Sequence, residues 1–377
     1  MGYFKIPTRA VNVFSMIKSV YDLTFDELKE FLIEKVGIAE KQAKMRSQQM
    51  FNAIYKKNIK SFDELTTFSL ELREKIKDLI SLEKSAKIIE VQKSKSDGTI
   101  KFLLELNKDK RQTETVLIPD KSKSKYTICL SVSVGCFLNC QFCATAQIPK
   151  KLVRNLSASE IMSQIMLCKE YLNDWKTSNK LVKTQVLMGS GDFALNAENV
   201  RTYIQNAKHK DSLDYGRTRI TVSSVGLGNK IKDLSVIEWA ARELDVYFAW
   251  SLHNPINKQR LEMMPNGNYS IDDLIPKFKK YYQITKLPIF IEYVALENNI
   301  TKEHANALVS LMKKVPSKLN LIEYNPLDNR DFKPATQKNI DIFSKIIQDN
   351  GFLALFRKSK GRDINASCGS LALKRIN

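Results

Sequence analysis

The sequence predicts an α/β fold, a partial (β/α)6 barrel preceded by a small helical accessory unit and a linking β-hairpin or small sheet, within 377 residues. From Thr127 onward, short apolar runs alternate with amphipathic stretches, the pattern of a parallel sheet with crossover helices. Between Ile88 and Pro119 the apolar period is two residues, around the turn signal Ser96-Asp97-Gly98. Before Ile88 the period is that of helices. The expected division is a helical unit over 1–88, a small linking sheet over 89–120, and a core barrel with its C-terminal segment over 121–377.

Within the first unit, Thr24-Phe25-Asp26-Glu27 is a capping box. It opens a helix whose Phe25, Leu28, Phe31 and Leu32 share a face, with Gly37 as stop. A second, basic helix over 43–55 carries Lys44, Arg46 and Tyr55. Ser61-Phe62-Asp63-Glu64 caps a short third, and 70–82 forms a fourth. Basic and aromatic residues here suit RNA contact, and solvated lysine faces are the alternative. Strands follow over 88–91, 99–106 and 114–118, the last ending at Pro119. Barrel strands are expected over 127–134, 184–188, 219–222, 246–250, 288–294 and 319–324. Ser157-Ala158-Ser159-Glu160 caps the first intervening helix, and 173–184 reads as a loop.

The formal charge is +19, from 60 Lys and Arg against 41 Asp and Glu, so a polyanion is the first partner to consider. A lysine-rich composition from an AT-rich genome is the alternative. Positive charge recurs near the chemistry described below: Lys121, Lys123 and Lys125; Lys150, Lys151 and Arg154; Arg357, Lys358, Lys360 and Arg362. No apolar run has membrane-spanning length. The start, Met1-Gly2-Tyr3-Phe4-Lys5-Ile6, lacks a signal-peptide core, and Ile6 does not suit myristoylation. Six cysteines in so long a chain, three of them bunched, point to a reducing cytoplasm rather than a disulfide scaffold. A cytoplasmic monomer without a membrane partner is expected.

The bunched cysteines form Gly135-Cys136-Phe137-Leu138-Asn139-Cys140-Gln141-Phe142-Cys143. Three thiolates at Cys-x3-Cys-x2-Cys spacing can hold three irons of a [4Fe–4S] cluster and leave the fourth open. Structural zinc is the competing reading, but it needs four ligands, and His209, His253 and His304 are all distant in sequence. With the aromatic Phe142 before the last cysteine, the stretch resembles the signature of radical SAM enzymes. In those enzymes the open iron chelates S-adenosylmethionine (SAM), and reductive cleavage yields a 5′-deoxyadenosyl radical.

Residues after later strands are candidates for holding SAM, because active groups of such barrels sit at the C-terminal strand ends. They are Gly189-Ser190-Gly191-Asp192, Ser223-Ser224, Ser251-Leu252-His253 and Asn325-Pro326. Each alone reads equally as a turn or cap. Cys129, seven residues before Cys136, and Cys368, in a polar glycine-flanked segment, stand apart. Cys168, sharing a helix face with Ile161 and Ile165, reads as a small buried hydrophobe.

Together, Cys129-x6-Cys136-x3-Cys140-x2-Cys143, Arg154-Asn155-Leu156, Ser251-Leu252-His253, Asn325-Pro326 and Asp363-Ile364-x3-Cys368-Gly369 resemble the RlmN/Cfr family of radical SAM RNA methyltransferases. The likeness spans nearly the whole chain, including Gln48-Gln49 and Phe62-Asp63-Glu64-Leu65-Thr66. RlmN-type members methylate carbon 2 of an adenosine in 23S rRNA and of the adenosine 3′ to the anticodon in some tRNAs; Cfr-type members methylate carbon 8 of the same rRNA adenosine. The resemblance implies that Cys136, Cys140 and Cys143 bind the cluster. Cys368 would take a methyl group from one SAM, and a radical from a second SAM would activate it for addition to the base. Glu114, in Glu-Thr-Val-x-Ile-Pro, would remove the proton, and Cys129 would release the product through a disulfide with Cys368. Gly191, Asp192, Ser223, Ser251, Leu252, His253 and Asn325 match SAM-binding positions. RNA, and a reductase or flavodoxin-type electron donor, are the implied partners.

Carbon 2 of adenine is electron-poor, so polar methylation fails there, and the base must leave its stack to reach a buried site. The sequence departs from the family at Gly189-Ser190-Gly191-Asp192-Phe193, where Gly-Met-Gly-Glu-Pro is usual, and also at Asn254-Pro255, Met264-Pro265-Asn266-Gly267-Asn268 and Asn298-Asn299-Ile300. These changes spare the radical machinery and bear on substrate. The competing readings are a radical SAM enzyme acting at carbon 8, at another RNA position or on a non-RNA substrate, and a non-catalytic RNA-binding protein with a structural metal.

Overall fold

The computed structural model describes residues 18–149, 153–175, 180–228, 230–231, 233–267, 269–327, 331–369 and 371. The N-terminal hexapeptide, Lys150, Lys151, Asn268 and part of the 173–184 stretch lie outside the described residues.

The helical unit begins as its capping box dictates. Helix α1 (Phe25–Phe31) starts at Thr24, whose hydroxyl accepts the Glu27 N–H at 3.2 Å while the Glu27 carboxylate accepts the Thr24 N–H at 2.8 Å. A wider π-type turn over Leu32–Val36 ends at Gly37, whose φ of 82° is readily adopted only without a Cβ. Helix α2 spans Glu40–Phe51 and loosens into a similar turn over Asn52–Lys56. Ser61 caps only one 3-10 turn, and α3 covers Leu70–Leu79, three residues short of the periodicity-based end.

Tyr55 corrects an expectation. It is buried at 1 % exposure, edge-on to Tyr21 and Phe51, and cannot meet RNA. Arg46 donates to the Thr67 carbonyl and lies over the Phe68 ring, so of the residues singled out on this helix only Lys44 stays exposed. The unit is fastened to the rest by Asp22, which accepts the Ser159 N–H at 2.7 Å, and by Asn206, which donates to the Leu23 carbonyl at 2.9 Å.

One ten-stranded sheet then runs in chain order. Its strands are β1 (Ala86–Lys93), β2 (Ile100–Leu106), β3 (Gln112–Pro119), β4 (Tyr126–Cys129), β5 (Val182–Leu187), β6 (Ile220–Ser224), β7 (Tyr247–Ser251), β8 (Ile289–Ala295), β9 (Ser317–Glu323) and β10 (Ala354–Arg357). Strands β1 to β4 pair antiparallel, and β4 to β10 pair parallel. Each parallel crossover carries helix: α4 (Ala158–Tyr171), α5 (Ala197–Lys208), α6 (Val236–Glu243), α7 (Asn257–Met263) with α8 (Ile271–Thr285), α9 (Lys302–Met312), and α10 (Gln337–Asp349).

Strands β7 and β8 are largely buried on both faces, which is why they read as near-continuous apolar runs such as Ile289-Phe290-Ile291. Two outcomes differ from the sequence pattern. The hairpin strands do not form a separate sheet, because β3 pairs with β4 from Val116↔Cys129 to Pro119↔Tyr126 and extends the barrel sheet. A seventh parallel strand, β10, was missed because its alternating burial on the sheet edge leaves it short and half exposed. No helix among the described residues is long and apolar enough to cross a membrane.

Candidate active site

The cysteine triplet lies in the loop beyond β4. That strand is shorter than the apolar run implies: pairing stops at Cys129, and Ser133–Val134 turns to pair antiparallel with Arg154–Asn155. The loop is held from two sides. The Gln141 N–H donates to the Met263 carbonyl at 2.9 Å, and Asn266 donates to the Phe137 carbonyl at 2.8 Å. From the C-terminal segment, the Gly369 carbonyl accepts the Ala144 N–H at 2.7 Å, and the Leu371 carbonyl accepts the Thr145 hydroxyl at 2.8 Å.

Burial pushes the Cys136 thiol up to about 12 and Cys140 well above its ordinary value, with the neighbouring sulfurs adding to the effect. Thiols so placed ionise together only against compensating positive charge, which a metal centre supplies. No three or more Cys, His, Asp or Glu side chains among the described residues converge on a single metal-ion position. Three thiols on one short loop are the donor set that a cluster with one open iron takes, each sulfur on a different iron. Arg260 supports the same fit. It is wholly buried, donates to the Val225 and Tyr269 carbonyls, has no carboxylate ion-pair partner among the described residues, and feels Cys140 as its opposing charge. A buried cation of this kind needs an anion nearby, and a thiolate-ligated cluster provides one.

The loop after β5 is shaped by its glycines. The Gly189 N–H donates to the Leu130 carbonyl at 2.9 Å, and a Cβ at Gly189 would stand 2.6 Å from the Ser131 hydroxyl. Gly191 has φ +94° and sits against Ser133. The close approach is to the chain's own backbone over 130–135. Asp192 is buried; its two oxygens accept the Ala194 and Val225 N–H groups, each at 2.9 Å, tying the ends of β5 and β6 together. Burial raises its pKa to about 6 despite those bonds.

Ser223 and Ser251 bring their hydroxyls to 3.2 Å across β6 and β7. Leu252 is completely buried. His253 has φ 57°, its Nδ1 accepts the Val294 N–H at 3.1 Å, and its ring stands edge-on to Phe142 at 4.8 Å. Burial, with Arg260 nearby, lowers its pKa to about 3, so it is a neutral imidazole with Nε2 as donor. Asn325 donates to the Cys368 carbonyl at 3.3 Å, while its buried Oδ1 has no partner. An orphaned acceptor beside the cysteines fits a ligand that donates a hydrogen bond.

Cys368 is exposed, yet its thiol pKa is raised first by desolvation, then by Glu292. Cys129 is buried in a small apolar cluster with Val116, Ala366 and Leu371, and it feels Cys368 electrostatically; neither cysteine is in a disulfide. Glu114 faces the same region, paired at 3.3 Å with Lys101. Burial raises the pKa of Glu114, and Lys101 opposes the shift.

The expected residues therefore fall into two groups. Cys136 and Cys140 feel Asp192, and Cys140 and His253 feel Arg260, whereas Cys129 and Glu114 lie on the hairpin side; Cys368 feels both Cys129 and Cys143, and Asn325 holds its backbone. Cys168 is a buried core residue, as its helix face implied.

Sequence reasoning missed Lys101, Arg260 and Glu292. A charged residue inside an apolar strand was a visible signal for Glu292, which is buried and accepts from Asn320 at 2.8 Å. Lys101 was hidden because alternation makes it look like an outward-facing residue. Arg154 corrects the basic-patch expectation: its guanidinium is held between Asp109 and Glu160, leaving no free face for phosphate. Arg362 pairs with Glu323, and Lys360 donates to the Pro119 carbonyl at 2.5 Å, while Lys121, Lys123, Arg357 and Lys358 remain exposed.

Residues 19–82 match the model of the ribosomal RNA large subunit methyltransferase N-terminal domain. A probable dual-specificity RNA methyltransferase RlmN from Christiangramia forsetii is 35 % identical over 95 % of this chain and 97 % of its own length. A similarly named protein of Clostridium beijerinckii is 36 % identical over 96 % of each. The crystal structure of a radical SAM methyltransferase from Sphaerobacter thermophilus superposes with a TM-score of 0.81 at 29 % identity, covering 94 % of this chain and 98 % of that one.

Proposed function

The chain belongs to the RlmN family of RNA methyltransferases, and on that premise we propose that it methylates carbon 2 of an adenosine in 23S rRNA, and of the adenosine 3′ to the anticodon in tRNA, by a radical SAM mechanism. Cys136, Cys140 and Cys143 hold a [4Fe–4S] cluster. With SAM bound, that cluster supplies the radical that an electron-poor carbon requires. Asn325 Oδ1, the Ser223–Ser251 pair, His253 Nε2 and the Gly191-Asp192 loop are the polar groups at the strand ends that orient SAM.

Cys368 carries the transferred carbon on its sulfur. Asn325 and the Ala144–Gly369 hydrogen bond hold its backbone between β9 and the cluster loop. Glu114 accepts the proton that leaves carbon 2, the electron pair staying in the ring. Cys129 then attacks the Cys368 sulfur as a thiolate: the disulfide forms as the sulfur–methylene bond breaks, the freed carbon takes up a proton to become methyl, and the one electron consumed in making the radical would be given back to the redox centre; Ala366 packs against Cys129 beside this segment. Positive charge from exposed Lys121, Lys123 and Lys358 serves the RNA backbone. The protein acts in the cytoplasm as a monomer, with an electron supplied by a reductase or flavodoxin-type protein.

The observation that carries this reading is the double attachment of the Cys368 segment, to the cluster loop through Ala144 and to the apolar cluster around Cys129. The test is mass spectrometry of rRNA and tRNA nucleosides with and without the gene. Loss of 2-methyladenosine from both RNAs is expected; loss of an 8-methyl or any other nucleoside, with 2-methyladenosine unchanged, refutes the assignment.

A further inference from the structure

A cavity of about 400 Å³ lies between the hairpin strands and the C-terminal segment, lined by Glu90, Gln92, Lys101, Leu103, Glu114 and residues 363–365. Sheet register explains its floor. Glu90 stands opposite Leu103, and Leu103 opposite Glu114; in the next row Gln92 faces Lys101, Lys101 faces Val116, and Val116 faces Cys129. Opposed residues of an antiparallel ladder share a face, and so do residues two apart. Lys101, Glu114 and Cys129 thus point to one side of the sheet. The C-terminal segment closes over that side: the Gly361 N–H donates to Asp97 at 2.8 Å, and Asp363 accepts the Lys95 N–H at 3.1 Å.

Lys101 links floor and roof. Its ammonium is 3.3 Å from the Glu114 carboxylate and 3.4 Å from the Asn365 carbonyl, three residues before Cys368, and its side chain is only 9 % exposed. We propose that Lys101 is a positioning residue, holding the base Glu114 in register with the Cys368 segment at the wall of the cavity that receives the substrate's purine. The inference rests on the methyl-transfer reading above.

The chemistry requires such a cation. Glu114 is desolvated, and Glu90 adds like charge from β1; Asp363 also lines the cavity from the C-terminal segment. Lys101 on β2 is the one nearby positive group that Glu114 pairs with among the described residues. Without it the pKa of the carboxyl rises further and less of it is ionised to take a proton; with it, the carboxylate stays a usable base. A pair of only structural use is replaceable by apolar residues without loss.

The experiment compares full-length, anaerobically reconstituted wild type with Lys101→Met and Lys101→Arg. S-methylation of Cys368 and 5′-deoxyadenosine formation are followed by mass spectrometry, methyl transfer to RNA as a function of pH, and folding by thermal melting. In Lys101→Met the first two remain, an enzyme–RNA adduct accumulates, and product release slows roughly tenfold or more at neutral pH. The ascending limb of the pH profile moves to higher pH, because losing the cation raises the pKa of Glu114; Lys101→Arg restores it. Should Lys101→Met not fold, Lys101→Gln must show the same displaced limb. An unmoved limb, or an arginine variant no better than methionine, overturns the inference. Absence of S-methyl-Cys368 in the wild type overturns instead the reading on which it rests.

Discussion

The Asn325 side chain donates to the Cys368 carbonyl at 3.3 Å, so the cysteine proposed to carry methyl is located by its backbone while its sulfur stays free. Replacing the sulfur alone therefore leaves the site standing. Cys368→Ala is expected to retain the cluster absorbance and 5′-deoxyadenosine formation and to lose methyl transfer to RNA entirely. Anaerobic assays with labelled SAM check this, and an alanine variant that methylates RNA at the normal rate refutes the carrier role.

His253 gives a pH signature. Its folded pKa of about 3 lies below the ordinary 6.5, so the unfolded chain binds the proton first as pH falls. The stability linked to His253 is complete above about 6.5 and is lost as pH drops toward 3, at about 1.4 kcal/mol per pH unit. His253→Asn keeps an acceptor for Val294 and tolerates the left-handed φ of 57°, so it should flatten this slope without unfolding the protein. Denaturant unfolding of both proteins between pH 4 and 7 is the measurement, the difference in slope isolating His253 from His304.

Arg154 and the exposed lysines should separate cleanly. Arg154→Met leaves Glu160 without its ion-pair partner and Asp109 with Arg111 alone, and is expected to destabilise the fold by about 1–3 kcal/mol while leaving the salt dependence of RNA binding unchanged. Lys121→Ala and Lys123→Ala should each reduce the slope of log affinity against log salt by about one and leave melting untouched. Binding titrations at several salt concentrations decide it; a reduced slope in the arginine variant would return Arg154 to the phosphate footprint.

Gly191→Ala tests the backbone argument. A φ of +94° is strained for any L side chain, and the new Cβ would collide with Ser133. A loss of about 1–3 kcal/mol and weaker SAM binding are expected, seen as a lower melting midpoint and a reduced thermal shift on adding SAM. An alanine variant with wild-type melting and SAM response would mean the loop has room that the packing denies.

The candidate site residues were legible as candidates because the chemistry they suggest depends on local spacing. The Cys136-Cys140-Cys143 run, the glycines after β5 and the polar residues after β6, β7 and β9 can be read wherever strands alternate with helices. Less legible were residues whose role depends on what faces them. Tyr55 and Arg154 looked like RNA contacts until Tyr21 and Phe51 enclosed one and Asp109 with Glu160 took up the other. Lys101 looked like an outward strand position, because one strand's alternation does not say which face a later segment covers.

The sequence by itself determined the order of strands and helices and the three thiols that can share a cluster, since both follow from periodicity and spacing along one chain. Only the tertiary structure decided that the hairpin extends the barrel sheet, that Lys101 reaches Glu114, and that Ala366, Gly369 and Leu371 reach Cys129 and the cysteine loop. Other contacts of that C-terminal segment, from Asp363 to Lys95 and from Asn365 to Lys101, join residues 268 and 264 positions apart. Which partners such distant groups find is set by sheet register and by the packing of the whole core, and no local pattern encodes that.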